Sequence, residues 1–186
     1  SSIAVADMGT FSSGRISNAR ALDGRAEIIV GSGAGIAPSV LVYDLSGSPA
    51  VVDRLSPFSR AFTSGISVSV GRFNADIIPD IMVASARNGN SVVEIYDGSV
   101  SAPANTLLAR QAAFATIGKV NAAVFATMAD VNNNGIIDDG EIFTTQGDGG
   151  ANSGIKRLTR AGGVQSTVTG SPLSPLRIVS STRRPQ

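Results

Sequence analysis

Residues 130–141 read Asp130-Val131-Asn132-Asn133-Asn134-Gly135-Ile136-Ile137-Asp138-Asp139-Gly140-Glu141. Counted from Asp130, oxygen-bearing side chains fall at positions 1, 3, 5 and 9 with glycine at 6, a spacing that wraps backbone around one hard cation such as Ca2+ at about 2.3–2.6 Å per ligand. Gly135 permits the sharp turn, and a main-chain carbonyl supplies a ligand without adding charge. The expected ligands are Asp130, Asn132, Asn134, the Ile136 carbonyl and Asp138, the two aspartates carrying the charge. Glu141 at position 12 mimics the closing ligand of an EF-hand. The residues after it, IFTTQGDGG, are β-branched and glycine-rich where an EF-hand needs a helix, so the loop is expected between strands. The plain alternative is a polar hairpin, because Asn-Gly is a turn signal by itself. Against it, four acidic groups at 130–141 have no basic residue among them and repel without a cation.

Little other chemistry is available. The chain has no His and no Cys, which removes the imidazole base, the His-assisted nucleophile, thiolate chemistry and His or Cys metal sites. GSGAG at 31–35 follows an apolar stretch but no helix pattern and no Lys-Ser/Thr come after it, so it reads as a turn and not a phosphate loop. Asp148 in GDGG likewise reads as a turn residue. Serines without a His partner and carboxylates scattered along the chain favour neither a hydrolase nor a glycosidase. The 15 basic residues, 13 Arg and 2 Lys by count, form no Lys/Arg-rich run beside an aromatic platform, so nucleic acid is not an expected partner.

The elements that hold such a loop must be strands. Of 186 residues 42% are hydrophobic, mostly Val, Ile and Ala, interrupted every few positions by Gly, Ser, Asn or Asp. That is the composition of an all-β domain with a sizeable core. No apolar run approaches the roughly 20 residues of a membrane span. Starting at Ser1-Ser2 without an initiator Met, the sequence is expected to be a processed mature chain or a piece of a longer one. The absence of Cys fits an exported bacterial protein.

Three passages repeat. AEIIVGSGAG at 26–35, PDIMVASARNG at 79–89 and GEIFTTQGDGG at 140–150 each join an acidic residue, a short apolar strand and a small-residue turn. Glu27 to Asp80 is 53 residues and Asp80 to Glu141 is 61. VLVYDLSG at 40–47 matches VEIYDGS at 93–99 at the same offset of 53, and GIKRLTRAG at 154–162 is the third copy. IAVADMGTF (3–11), ISVSVGRF (66–73) and AAVFATMADV (122–131) precede these strands with period-2 alternation. The spacing predicts strands near 66–72, 80–85, 92–97 and 106–113 in the second repeat, hence three four-stranded antiparallel blades of a β-propeller type. Their bounds are about 1–65, 66–120 and 121–176, and an extra C-terminal strand, RIVSS at 177–181, opens the basic tail 177–186. Phe11, Phe58, Phe62, Phe73, Phe114 and Phe125 are expected to pack between blades.

This pattern, an apolar strand, an Asp/Asn/Gly loop, then I-x-V-G and V-x-V-Y-D-G, resembles the FG-GAP or VCBS repeats of integrin-like propellers and large exported bacterial proteins. The resemblance implies a propeller, calcium between the first two strands of a blade, and a role in adhesion or extracellular architecture. The other two loops depart from it. In the second, Arg72 replaces the first acidic ligand and Ile77 the turn glycine, so Arg72 is expected to pair with Asp76 and Asp80 in place of a cation. In the first, Thr10 is taken as the first ligand position and the insertion SSGRISNARA follows, so no calcium is expected there either.

Three blades fall short of the 4–8 that close a propeller. The chain is therefore expected to complete itself with other copies or with further blades of a larger protein, as a non-catalytic, calcium-stabilised extracellular or cell-surface module that binds a cell-surface protein or glycan. One alternative is a filament subunit donating strand 177–181 to an edge near 3–8 of its neighbour. Another is an enzyme with its site in rim loop 12–22 or 144–154.

Overall fold

The computed structural model describes residues 1–12, 15–16, 21–85, 92–99, 106–113, 124–146 and 155–168. Among them there is no helix, and therefore none long and apolar enough to cross a membrane. The strands are β1 (Ser2–Ala6), β2 (Phe11–Ser12), β3 (Arg15–Ile16), β4 (Glu27–Gly31), β5 (Val40–Asp44), β6 (Ala50–Leu55), β7 (Ile66–Gly71), β8 (Asp80–Ser85), β9 (Val92–Tyr96), β10 (Leu107–Ala112), β11 (Val124–Met128), β12 (Ile142–Gln146), β13 (Ile155–Leu158) and β14 (Val164–Val168). They form three four-stranded antiparallel sheets, β1-β4-β5-β6, β7-β8-β9-β10 and β11-β12-β13-β14, and the small hairpin β2-β3. The expected extra strand at 177–181, Phe114, Asp148 and much of the two rim loops lie outside the described residues.

Each sheet is a meander whose strands follow one another in chain order, the β2-β3 hairpin lying between β1 and β4. Period-2 alternation sends successive side chains to opposite faces, and pairing register fixes which residues share a face. In the second sheet Val68, Val83 and Glu94 stand opposite one another, as do Val70, Ile81 and Tyr96. This face joins Ile29, Val40, Val42 and Leu55 of the first sheet in one core cluster. The opposite face, with Met82, Ala84, Val93 and Ile95, joins Val124, Met128, Ile142 and Leu158 of the third sheet in another. The middle sheet is covered on both sides, so all six residues of β8 are buried. Side chains such as Ile29, Ile95 and Ile142, each 0% exposed, contribute about 1.5–3 kcal/mol apiece.

The first strands of the three sheets, β1, β7 and β11, line one open trough of about 460 Å³. Hydrogen bonds tie them together: Ser2 Oγ donates to the Ile66 carbonyl and accepts from Val68 N–H, each at 3.0 Å. Ser67 Oγ, at the matching position in β7, donates to the Val124 carbonyl at 3.4 Å.

The two ends of the stack differ from its middle. Ile3 and Val5 on the outer face of the first sheet are 64% and 58% exposed, and Phe125 on the outer face of the third is 53% exposed. Phe125 thus departs from its expected place between sheets. Phe11, Phe58, Phe62 and Phe73 do pack in or against the cores, Phe58 meeting Phe62 edge-on at 5.6 Å.

Candidate metal centre

The loop between β11 and β12 is built from the bottom by Glu141. This residue is 3% exposed, and its carboxylate accepts from the N–H groups of Val131 and Asn132 at 2.8 and 3.0 Å through Oε1 and of Asp138 at 2.8 Å through Oε2. Position 12 therefore holds the loop's backbone. The strand that follows, β12, agrees with the rejection of an EF-hand.

Above Glu141, Asp130 Oδ1 accepts from Asn134 N–H at 3.1 Å and Oδ2 from Gly135 N–H at 2.7 Å. Gly135 has φ +90°, the left-handed conformation a side chain resists, so the turn at position 6 requires glycine. Asn132 Oδ1 accepts from Asn134 N–H at 3.0 Å and Asn134 Oδ1 from Ile136 N–H at 3.0 Å. The amides of Asn132 and Asn134 both donate to Asp138 Oδ2, the former at 3.2 Å. Asp130, Asn132, Asn134 and Asp138 are thus linked in one network, with Ile136 following by its N–H. Among the described residues no group of three or more Asp or Glu forms a metal cluster; two of the four residues in this network are asparagines, each with one side-chain oxygen. An all-oxygen set with two carboxylates, the positive poles of two amides already turned to Asp138, fits a hard cation in its chemistry.

No family model, curated protein or solved structure matches the chain.

The same frame recurs in the other sheets, with different outcomes. Glu27 Oε2 accepts from Met8 N–H at 2.7 Å. Asp80 Oδ2 accepts from Phe73 and Asn74 N–H at 2.7 and 2.9 Å, while Oδ1 accepts from Gly98 N–H at 3.2 Å. The acidic residue that marks each repeat is therefore a buried anchor for the preceding loop, a role the sequence pattern located without revealing. Burial pushes both carboxyls up, Glu27 above its usual value and Asp80 from 3.8 to about 6.

This frame corrects two expectations. Pairing aligns Ala6 with Glu27, Gly71 with Asp80, and Ala129 with Glu141 through the Ala129 N–H to Glu141 carbonyl bond. The residue following each of these, Asp7, Arg72 or Asp130, occupies the first ligand position. Asp7, not Thr10, stands there in the first sheet, accepting from Gly24 N–H at 2.8 Å, and Gly24 has φ +78° as Gly135 has +90°. Thr10 instead bonds the Ala21 carbonyl; the insertion separating Asp7 from Gly24 disguised the match. Arg72 does not pair with Asp80, whose oxygens are held by main-chain N–H groups. Its Nε donates to the main-chain carbonyl of Asp76 at 2.9 Å, and its carbonyl accepts from Ile137 N–H at 2.7 Å, joining the second loop to the third.

Sequence reasoning also missed Arg160. Its guanidinium lies 4.5 Å over the Phe73 ring and donates through Nη2 to the Phe73 carbonyl, while its N–H donates to Asp139 Oδ1 at 2.6 Å. One residue thus clamps the turn after β13 to loops in two sheets. Arg160→Ala is expected to cost about 2 kcal/mol, a cation–π contact and a charge-assisted hydrogen bond each at the low end of its range, read as a lower urea midpoint at unchanged m-value; Arg160→Lys should recover less than half, because an ammonium cannot stack as a plane.

Proposed function

We propose that this chain is a non-catalytic structural or adhesion module of the propeller type, of FG-GAP or VCBS kind, working outside the cell with calcium stiffening the 130–138 loop. The observation that carries the reading is the arrangement of three consecutive meanders around one trough, with the loop between the first two strands of each organised on a buried acidic residue. That is architecture for presenting loops on a stiff frame, and the groups that converge in the 130–138 loop are oxygen donors suited to a cation.

Asp130, Asn132, Asn134, the Ile136 carbonyl and Asp138 would hold the ion, which supplies positive charge between two carboxylates and no reaction. Asp130 fixes the turn through two N–H groups, and Asp138 gathers the two asparagines. A cation there joins 130–134 to 138 and, through Ile137 and Arg72, braces the second sheet against the third.

Calcium at a hundredfold excess over its dissociation constant stabilises by about 2.7 kcal/mol, which for a chain of this size raises the melting temperature by roughly 5–10 °C. Asp138→Ala, which among the described residues loses the bonds from the Asn132 and Asn134 amides, is expected to melt within a few degrees of wild type without calcium and to lose most of the calcium-dependent rise. Asp130→Ala should lose the rise entirely and also melt lower without calcium, since Asn134 and Gly135 lose their acceptor. A wild-type melting temperature that ignores millimolar calcium overturns the metal reading.

A further inference from the structure

The contacts between sheets recur, and among the described residues each series has an unmet first and last member. In the inner series, Ser2 of β1 meets Ile66 and Val68 of β7, and Ser67 of β7 meets Val124 of β11. The register that aligns Gly71 with Ala129 puts Phe125 at the next donor position, and Ser1 and Ile3 at the position that receives in the first sheet. In the outer series, the residue after each first ligand position touches the turn after the third strand of the next sheet. A Cβ at Gly98 would lie 2.8 Å from Met8 Cε, and Arg160 covers Phe73 at 4.5 Å. The next member of the first kind is Val131, 64% exposed, and the unreceived member of the second kind is Leu45, 47% exposed.

The end faces also correspond to buried ones. Ile3, Val30 and Leu41 stand opposite one another on the first sheet, as do Val5, Ile28 and Tyr43. These match Val68, Val83 and Glu94 and Val70, Ile81 and Tyr96, which the second sheet buries against the first. On the third sheet, Phe125, Thr127, Phe143, Thr145 and Ile155 line an apolar hollow of about 170 Å³. A contiguous exposed apolar face of this kind marks a contact surface.

Building on the propeller-type reading, we propose that a second copy of this chain covers both ends: the third sheet of each copy packs on the first sheet of the other, closing a two-fold ring of six sheets around the completed trough. The two faces suit each other. Ile3 and Val5 project where the third sheet is hollow, and the large Leu45 with the short Val131 reverses the sizes of the Gly98 and Met8 pair it repeats. Four strands at about 4.8 Å and five residues at about 3.3 Å make each face on the order of 300 Å² in projection. The four faces of a two-copy ring come to on the order of 1,200 Å², the size at which specific pairs become stable. One interaction, used twice, leaves no end face open, as closed two-fold symmetry requires.

The chain contains no cysteine, so introduced thiols report alone. Copies carrying Ile3→Cys mixed with copies carrying Phe125→Cys are expected to form a disulfide-linked pair on mild oxidation, and Leu45→Cys with Val131→Cys likewise. Each single variant alone should give far less. Light scattering of wild type should return twice the chain mass, independent of concentration above the dissociation constant. Ile3→Glu, at a position 64% exposed in one copy, should keep the wild-type circular dichroism and scatter as one copy. A wild-type monomer, like-with-like cross-links through Ile3, or a mass that grows with concentration overturns the ring. The calcium-dependent melting of that same sample tests the module reading separately, since the metal loop lies within one chain.

Discussion

Asp80→Ala is expected to destabilise the protein by about 3 kcal/mol, read as a fall in the urea midpoint. Asp80 is 0% exposed and accepts from three main-chain N–H groups. Removing it leaves the donors of Phe73, Asn74 and Gly98 facing a void, at about 1–3 kcal/mol for each buried group that stays unmet. The total is held down because the loop can open to water and because a desolvated carboxylate is removed with the side chain. Asp80→Asn keeps one acceptor and the volume, so it should lose less.

The same residue gives stability a pH dependence of definite sign. Burial, the dominant cause, raises its carboxyl from 3.8 to about 6, the three N–H groups opposing and Asp76 reinforcing the rise. The folded state holds the proton more tightly than the unfolded chain, so this contribution is complete below about pH 4 and is lost as the pH rises through about 6. Glu27, also raised by burial, acts in the same direction. The wild-type urea midpoint should therefore fall between pH 4 and 7 more steeply than that of Asp80→Asn. Parallel slopes would show that Asp80 has an ordinary affinity for protons.

The all-β class and the strands of the second repeat were legible because both sides of that sheet are buried, so its turns had to be short and its strands apolar. The expected 66–72, 80–85, 92–97 and 106–113 became β7 to β10 within a residue or two. Where an insertion broke the spacing, local pattern failed: it pointed to Thr10 and left Asp7 unnoticed, because Gly24 stands 17 residues beyond Asp7 whereas Gly135 stands 5 beyond Asp130. What stayed hidden was long-range. That Asp80 serves main-chain donors, that Arg160 reaches Phe73, and that Phe125 faces outward depend on which sheet lies against which, and no local spacing encodes that.

Tyr96-Asp97-Gly98-Ser99 repeats Tyr43-Asp44-Leu45-Ser46, and in both the aspartate Oδ1 accepts from the serine N–H, at 2.8 and 2.6 Å. The conformations are alike, so the exchange of Leu45 for Gly98 is a matter of space. Leu45 sits at the open end of the stack, 47% exposed, whereas a Cβ at Gly98 would lie 1.9 Å from the Pro79 carbonyl oxygen and 2.8 Å from Met8 Cε. Met8 could swing aside, but the carbonyl belongs to the residue before Asp80 and moves only with the anchor. Gly98→Ala must therefore push the turn away from β8, stretching the 3.2 Å bond from Gly98 N–H to Asp80 Oδ1 and opening the contact with the first sheet. Overpacking of this kind costs about 1–3 kcal/mol in a side-chain core; with backbone on both sides, a loss of about 3 kcal/mol or failure to fold is expected. Leu45→Gly, the reverse exchange at the open end, should cost less than about 1 kcal/mol in the single copy and weaken pairing between copies. Because Gly98→Ala also strains the Asp80 anchor, its cost in an Asp80→Ala background should be smaller than in wild type. A double-mutant cycle on urea unfolding tests this, and strict additivity would mean that the glycine and the aspartate act independently.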